Sequence, residues 1–335
     1  MTGLLEIKAN IIRFVEKYEI YLLPVLKFIF ALTAFLLINW NLGYMQKLNH
    51  PFIPLILAAI CCLLPPNAIV LVGGVLVLGH LYALSMEACL VAFLVFMISF
   101  LLYFRIAPKT GYQSVLTPML FTLRVPYIQP IACGLLSAPY SIVSAMCGTV
   151  IYYFLKGIKE NEASFRLAND DKMTSKFIVA INQIFGNKEM YIVLAAFAVT
   201  VLTVYLIRRR SIENSWLIAI TVGSITQFLI ILLGKLLTGE TSGILILIIG
   251  SIVSMAVAFV IQFFMFHLDY SRAERVQFED DSYYYYVKAI PKAIVQTKKK
   301  KVTKINSKSS SVVQKGTMTK ESLAEEFDID KDLLN

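Results

Sequence analysis

The sequence predicts an all-α fold: a polytopic α-helical membrane protein of seven to eight spans, with two broken or re-entrant regions and a cytosolic tail. Of its 335 residues, 58% are hydrophobic and 16% are charged, whereas a soluble domain carries about 25% charged residues. The apolar residues occur in blocks of about 20, the length that a helix needs to cross a hydrocarbon core of roughly 30 Å. Two apolar regions are interrupted by prolines, which indicates helices that break inside the membrane domain.

Composition divides the chain into six segments. They are an interfacial N-terminal helix (1–21), a membrane region (22–156) with broken segments at 51–85 and 112–138, a loop with an amphipathic helix (157–189), three further spans (190–268), a juxtamembrane tyrosine-rich segment (269–296) and a disordered lysine-rich tail with a short terminal helix (297–335). The first segment carries apolar residues on one face and charged residues mostly on the other, a pattern typical of helices that lie in the membrane interface. The apolar block that follows is too long for a signal-peptide core, so we interpret it as a retained span.

The later spans are the most regular part of the pattern. We predict them at Ala88–Phe104, Pro139–Leu155, Met190–Ile207, Trp216–Leu233 and Ile244–His267. Small residues recur every four positions in two of them, at Ser141, Ala145 and Thr149 and at Gly250, Ser254 and Ala258. Such stripes let helix backbones approach closely within a bilayer, so we expect packing faces there.

The two irregular regions differ in their interruptions. Segment 51–85 is broken at Pro65-Pro66 and again at Gly73-Gly74, and segment 112–138 contains Pro118, Pro126 and Pro130. Backbone groups that are freed at membrane depth need cover from protein or from a water-filled cavity, so we expect both regions inside the bundle. If each formed a hairpin, entering from opposite sides, the two would be an inverted repeat of the kind found in transporters. Two unrelated broken regions are the alternative.

The distribution of basic residues predicts the orientation. Arg208–Arg210 closes one span, and the last span leads into a lysine-rich tail two spans later. The positive-inside rule places both points in the cytoplasm, which predicts a multi-pass protein of the cell or cytoplasmic membrane with cytoplasmic N- and C-termini.

Polar side chains inside apolar blocks are candidates for function, because burying them in a membrane costs free energy. These residues are Lys27, Asn39, Asn67, His80, Glu87, Arg124, Gln129, Gln227 and Gln262. Arg124 is the most informative, since it lies midway through a proline-flanked segment where an anionic partner is expected. We predict a substrate path that includes Arg124, Gln129, Asn67 and Glu87. The rival interpretation is a structural arginine that caps carbonyls freed by Pro126 and Pro130.

Motifs for catalysis or energy coupling are missing from the sequence. It contains no nucleophile–base arrangement, phosphate loop or metal-ligand spacing, and we expect neither a cofactor nor a metal. The five cysteines are interpreted as small buried hydrophobes. A separate ATPase or an ion gradient would have to supply energy. We therefore expect no enzymatic activity, with an enzyme acting on lipid-linked substrates as the alternative.

The tail contains two features that could bind partners. Tyr283, Tyr284, Tyr285 and Tyr286 follow an acidic stretch and have high β-propensity, which predicts an ordered strand packed on the membrane domain or a docking surface for a cytosolic protein. Lys298, Lys299, Lys300 and Lys301 would be attracted to anionic lipid headgroups. No nucleic-acid-binding motif accompanies them.

Two functions fit these patterns. The first is a transporter or permease-like protein with a substrate path between broken helices. The second is a non-transporting scaffold or complex subunit that recruits cytosolic partners through its C-terminal tail.

Overall fold

The computed structural model describes residues 2–166, 173–210, 212–239, 243–265, 274–280 and 282–289. Within them the helices are α1 (Thr2–Asn41), α2 (Phe52–Leu63), α3 (Asn67–Leu84), α4 (Met86–Ile106), α5 (Gln113–Thr122), α6 (Ile128–Leu136), α7 (Ser141–Glu160), α8 (Glu162–Arg166), α9 (Met173–Phe185), α10 (Lys188–Arg208), α11 (Ser215–Thr238) and α12 (Ile244–Met265). Two strands follow, β1 (Glu274–Glu279) and β2 (Tyr284–Ala289).

Seven helical stretches of the described chain are long and apolar enough to cross a membrane, judged by length and composition. They lie in α1, α3, α4, α7, α10, α11 and α12, where α10 forms part of a longer apolar stretch that begins at Lys176. The chain is therefore an all-α, multi-pass integral membrane protein, as the sequence predicts.

The first helix is longer than predicted. It runs without interruption from Thr2 to Asn41, but Tyr18 has non-helical backbone angles (φ −113°, ψ 18°) that kink it. Pro24 lies just beyond the kink and removes the hydrogen bond to the carbonyl of Ile20. The N-terminal segment is thus helical and is separated from the span at Tyr18, slightly before the predicted boundary at residue 21.

The first broken region supplies a short helix and a complete span. The break at Pro65-Pro66 is confirmed, because α2 ends at Leu63 and α3 begins at Asn67. The predicted second break is wrong: Gly73 and Gly74 lie inside α3, which continues to Leu84. Glycine is frequent in membrane helices, where neighbouring helices use the space that it leaves. Since α3 is an 18-residue span, this region does not form the hairpin that an inverted repeat requires.

Helix α2 runs antiparallel to the second half of α1. At one end, the Asn39 side chain donates to the carbonyl oxygen of Leu48 at 2.8 Å, in the loop before α2. At the other end, the Cys62 thiol donates to the carbonyl oxygen of Pro24 at 3.2 Å. The 12 residues of α2 are about 18 Å long, and α2 lies along α1 over most of that length.

The second broken region folds back on itself as a helical hairpin, α5–α6. Both of its ends lie at the N-terminal end of α7: the Thr110 hydroxyl, before α5, is 3.3 Å from the Ser144 hydroxyl, and Ser137, after α6, directly precedes α7. The guanidinium of Arg208, at the end of α10, donates to the carbonyl oxygen of Ser137 at 3.4 Å. The 10- and 9-residue arms are about 15 Å long, half the thickness of a hydrocarbon core. The hairpin is therefore re-entrant.

The start of α1 and the end of α12 lie together. The Lys8 ammonium group donates to the carbonyl oxygen of Phe263 at 2.5 Å. This contact places the start of α1 and the end of α12 on one side of the bundle, while the compartment that they face stays a prediction.

The loop between α7 and α10 contains the predicted amphipathic helix as α9. Phe177 and Ile184 pack on a buried cluster formed with α4 and α7, whereas Ile178, Ile181 and Phe185 are exposed.

We expect cysteines placed at the two ends of the hairpin to react with a thiol reagent added to the same side of the membrane. In a variant without the five native cysteines, Tyr112→Cys and Leu136→Cys should both be labelled by an impermeant maleimide added to one side, because α5 and α6 start and finish at the same end of α7. Lys47→Cys, in the loop between α1 and α2, is the matched control and should react only from the other side. Labelling of Tyr112→Cys and Leu136→Cys from opposite sides would show that the region crosses the membrane.

Candidate functional site

At the tip of the hairpin, α5 ends in a C-cap whose left-handed position is occupied by Arg124. Arg124 has a positive φ of 62°, its amide donates to the carbonyl of Phe121, and the amide of Val125 donates to the carbonyl of Leu120. These two bonds define a Schellman motif, in which the left-handed position is usually glycine. Pro126 follows and prevents α5 from continuing.

The tip is covered by aromatic packing from both sides. The Phe121 ring lies 4.4 Å from the Tyr152 ring of α7 and 6.0 Å from the Phe197 ring of α10, measured between centroids. The Tyr127 ring packs against Gly250 of α12, where a Cβ atom would come within 2.8 Å of it. Phe197 is nine residues from the start of α10, or about 14 Å. The tip therefore lies at an interior level of the bundle.

Helices α11 and α12 pack against each other beside this tip. Ile220 of α11 shares one buried cluster with Ala258 of α12, and Ile231 shares another with Leu247. The two helices are therefore antiparallel neighbours, and the residues between these two pairs face each other at the same level. The second cluster also receives the Tyr127 ring from the hairpin tip.

Three polar side chains lie between the two apolar clusters. Ser224, Gln227 and Ser254 are exposed by only 7%, 2% and 1%. Among the described residues, neither polar atom of the Gln227 amide has a hydrogen-bond partner, nor does the hydroxyl of Ser224 or Ser254. A buried donor or acceptor without a partner costs about 1–3 kcal/mol. We call these three residues the polar layer.

The structure separates the four residues of the predicted substrate path. Asn67 donates to the carbonyl of Pro108 at 3.0 Å and fastens α3 to the loop before the hairpin. Glu87 accepts a hydrogen bond from Ser85 at the N-terminus of α4. These two residues lie at opposite ends of the antiparallel pair α3–α4, so they do not share a site.

Gln129 and Arg124 belong to the hairpin but have different surroundings. Gln129 is buried and donates to the Cys133 sulfur at 3.6 Å, and the Cys133 thiol donates to the side-chain oxygen Oε1 of Gln113 at 3.3 Å. This chain of contacts ties α6 to α5. The side chain of Arg124 is exposed and makes no hydrogen bond or ion pair within the described part of the chain, so it does not cap the carbonyls freed by Pro126 and Pro130.

An ion cluster occupies the opposite end of α7 from the hairpin's base. Glu189, at the start of α10, lies 3.4 Å from Lys156 of α7 and 3.4 Å from Lys235 of α11. Lys156 also lies 3.9 Å from Glu160. The sequence gives no signal for this cluster, because its members are far apart in the chain and lie near predicted span ends. Gln227 stands out in the sequence as a polar residue in an apolar block, but Ser224 does not.

The tyrosine run forms one strand of a hairpin. Strand β2 pairs antiparallel with β1, with Phe278 opposite Tyr285, which confirms the predicted strand. Tyr283, Tyr284, Tyr285 and Tyr286 are 67%, 67%, 38% and 79% exposed, so the expected packing on the membrane domain does not cover them. Lys298, Lys299, Lys300 and Lys301, with the rest of the predicted tail, lie outside the described residues.

The fold and the site define an integral membrane protein of α-helical, multi-pass class with a re-entrant hairpin. Comparison with protein-family models, curated proteins and solved structures found no match for the chain. Function therefore has to be argued from the geometry.

Replacing Gln227 by leucine should leave the protein as stable as before or make it more stable, by up to about 3 kcal/mol, because it removes two buried polar atoms without partners. The measurement is the thermal unfolding midpoint of the purified protein in detergent. Thr221→Val is the matched control, since its hydroxyl already donates to the carbonyls of Leu217 and Ile218 on the same helix. A clear drop in the midpoint for Gln227→Leu alone would show that its amide forms a stabilising bond.

The turn of the β-hairpin should depend on pH through Asp280. The backbone amide of Ser282, the Tyr285 hydroxyl and the backbone amide of Tyr283 all donate to this carboxylate, and these bonds lower the pKa of Asp280. A lowered pKa means that the carboxylate stabilises the turn above the ordinary aspartate range and that this contribution is lost as the pH falls through the lowered value. Amide chemical shifts of Ser282 and Tyr283 should move together only at acidic pH. In Asp280→Asn, which keeps an acceptor, the shifts should stay constant, and a transition near neutral pH would contradict the assignment.

Proposed function

We propose that the protein is a permease-like transporter whose substrate path passes the tip of the α5–α6 hairpin and the polar layer. The observation that carries the proposal is the position of the polar layer beside a re-entrant hairpin at an interior level of the bundle. Its three side chains, Ser224, Gln227 and Ser254, have no hydrogen-bond partner among the described residues. A stable membrane bundle has no need of such groups. A substrate that forms hydrogen bonds with them during passage would explain their cost.

Arg124 supports the proposal from the tip. A guanidinium at the depth of the hydrocarbon core needs water or an anion around it, and the exposed side chain of Arg124 makes no ion pair within the described chain. Transporters commonly build their sites near the midplane from discontinuous helices, and the hairpin is a discontinuous element of this kind. The substrate class that fits a lone cation beside neutral hydrogen-bonding groups is a small anion.

Orientation under this proposal follows from the basic residues. Arg105, Lys109 and Arg208–Arg210 lie at the end of the bundle from which the hairpin enters. The positive-inside rule makes that end cytoplasmic, so the hairpin enters from the cytoplasm. The ion cluster around Glu189 is then at the outer side.

Transport can be tested on purified protein in proteoliposomes. Currents on a solid-supported membrane should appear after rapid addition of one of a panel of probes, namely chloride, inorganic phosphate and small mono- and dicarboxylates. Arg124→Gly and Gln227→Leu should each reduce the current at least about tenfold, the loss expected when a charged or doubly hydrogen-bonded contact is removed. Glycine is chosen at position 124 because it keeps the left-handed backbone and relieves its strain, so loss of current would not reflect a damaged turn.

Thr221→Val is the control and should carry the wild-type current. Absence of current for every probe, or full current in both site variants, would contradict the proposed path.

The alternative, a scaffold that recruits cytosolic partners, is favoured by one observation, the four exposed tyrosines of the β-hairpin. Removal of residues 271–335 distinguishes the two functions. A transporter should retain its current without this segment, whereas a scaffold should lose its partners and be insensitive to Arg124→Gly.

A further inference from the structure

A cavity lies on the other face of the hairpin, away from the polar layer. It is a cavity of about 540 Å³ between α1, α3, α4, α5 and α7. That volume is in the range of sites for small ligands. Its walls are largely apolar side chains, among them Val75, Phe96, Val115, Met119 and Ile151.

Most of the wall is apolar, and three of its polar side chains already form hydrogen bonds. The Asn41 amide donates to the carbonyl of Leu37, the Ser114 hydroxyl to that of Gly111, and the Thr122 hydroxyl to that of Pro118, each within the local helix or turn. The Tyr103 hydroxyl also belongs to the wall and has no hydrogen-bond partner among the described residues. Because apolar side chains form most of its surface, the body of the cavity suits a hydrocarbon chain.

The charges lie at one end. Lys156 and Lys159 both line the cavity near the C-terminal end of α7. Lys156 pairs with Glu160 and Glu189, and Glu189 also pairs with Lys235, so these two lysines and two glutamates balance in charge. Lys159 is exposed at the rim and has no carboxylate within ion-pair distance among the described residues. It leaves this end of the cavity with one positive charge.

The cavity is long enough for a lipid tail. On α7, Lys159 lies eleven residues from Gly148, whose Cβ position faces the backbone of Ser114 at 2.7 Å. Ser114 lines the far end of the cavity, so the chamber extends about 16 Å from the lysine rim. That is roughly half of a hydrocarbon core.

We propose that this cavity binds a single-chain anionic amphiphile, with its carboxylate or phosphate head at Lys159 and Lys156 and its chain between α3 and α5. The proposal does not depend on transport, since it concerns the opposite face of the hairpin from the polar layer. A neutral lipid would form no ion pair with the lysine at the rim. A small anion would leave the apolar chamber unfilled.

Glycine 74 provides a means to block the chamber. The nearest atom to a Cβ added at Gly74 would be a ring carbon of Phe96 at 4.0 Å, so a side chain can be accommodated there without displacing backbone. Gly74 lines the cavity. In Gly74→Leu the new side chain should fill the space that the hydrocarbon chain of the ligand would occupy. The helix should persist, because leucine is a better helix former than glycine.

The test uses the full chain in nanodiscs of phosphatidylcholine, with three photoreactive probes that share one acyl chain: a fatty acid, a lysophosphatidic acid and a neutral monoacylglycerol. The fatty acid, the lysophosphatidic acid or both should crosslink to peptides of the helices that line the cavity, α1, α3, α4, α5 or α7. The monoacylglycerol should label them about tenfold less. Which acidic probe labels more strongly identifies the head group.

Three variants accompany the probes. Gly74→Leu should abolish labelling, and Lys159→Glu should reduce it about tenfold by reversing the charge at the rim. Lys188→Gln removes an exposed lysine at the start of α10, which does not line the cavity, and should label like the wild type.

Equal labelling by the neutral probe, full labelling of Gly74→Leu, or crosslinks confined to other helices would overturn the proposal. A thermal unfolding midpoint for each variant identifies any misfolded protein. If Gly74→Leu were misfolded, the comparison of charged with neutral probes on the wild type would still decide. Binding without transport would leave this inference standing and would contradict only the proposed function.

Discussion

The rest of the structure depends on covering the non-helical backbone at the tip of the α5–α6 hairpin. Pro126, between α5 and α6, prevents one continuous helix there, and a bilayer offers no water to the freed groups. The Schellman bonds satisfy part of the backbone, and the Phe121 and Tyr127 rings on either side of the turn pack against α7, α10, α11 and α12. Glycine at positions 148 and 250 lets the hairpin approach α7 and α12 closely, since a Cβ atom at either position would collide with it.

The hairpin also separates two environments of opposite character. Helix α5 forms a wall of the apolar cavity, with lysines at its rim, whereas α6 and the tip pack near the unpartnered polar layer of α11 and α12. Under the two proposals, a single re-entrant element borders a lipid-like ligand on one side and the path of a small anion on the other. Movement of this element would change both surfaces together, which would let the bound lipid influence the proposed transport.

The sequence predicts those features that depend on local chemistry. Apolar block length locates the spans, prolines locate the breaks at 65–66 and within 112–138, and β-propensity locates the tyrosine strand. The sequence does not predict features that depend on how helices distant in the chain pack against each other. The absence of a hydrogen-bond partner for Gln227 among the described residues depends on how α11 faces α12. The position of Lys156 and Lys159 at the edge of the cavity depends on how α7 packs on α3 and α5. Gly73-Gly74 shows the converse error. Its low helix propensity predicts a break, whereas α3 continues through both glycines.

The contacts of α6 have a consequence for biosynthesis. The helices that shield its inner face, α10, α11 and α12, are all made after it, and α12 ends more than a hundred residues later at Met265. During translation the hairpin therefore stays partly inserted or at the membrane surface until α10, α11 and α12 have been synthesised and can pack on it. The contact between Lys8 and Phe263 can form only then, so the contact that joins the first helix to the last is made late in synthesis.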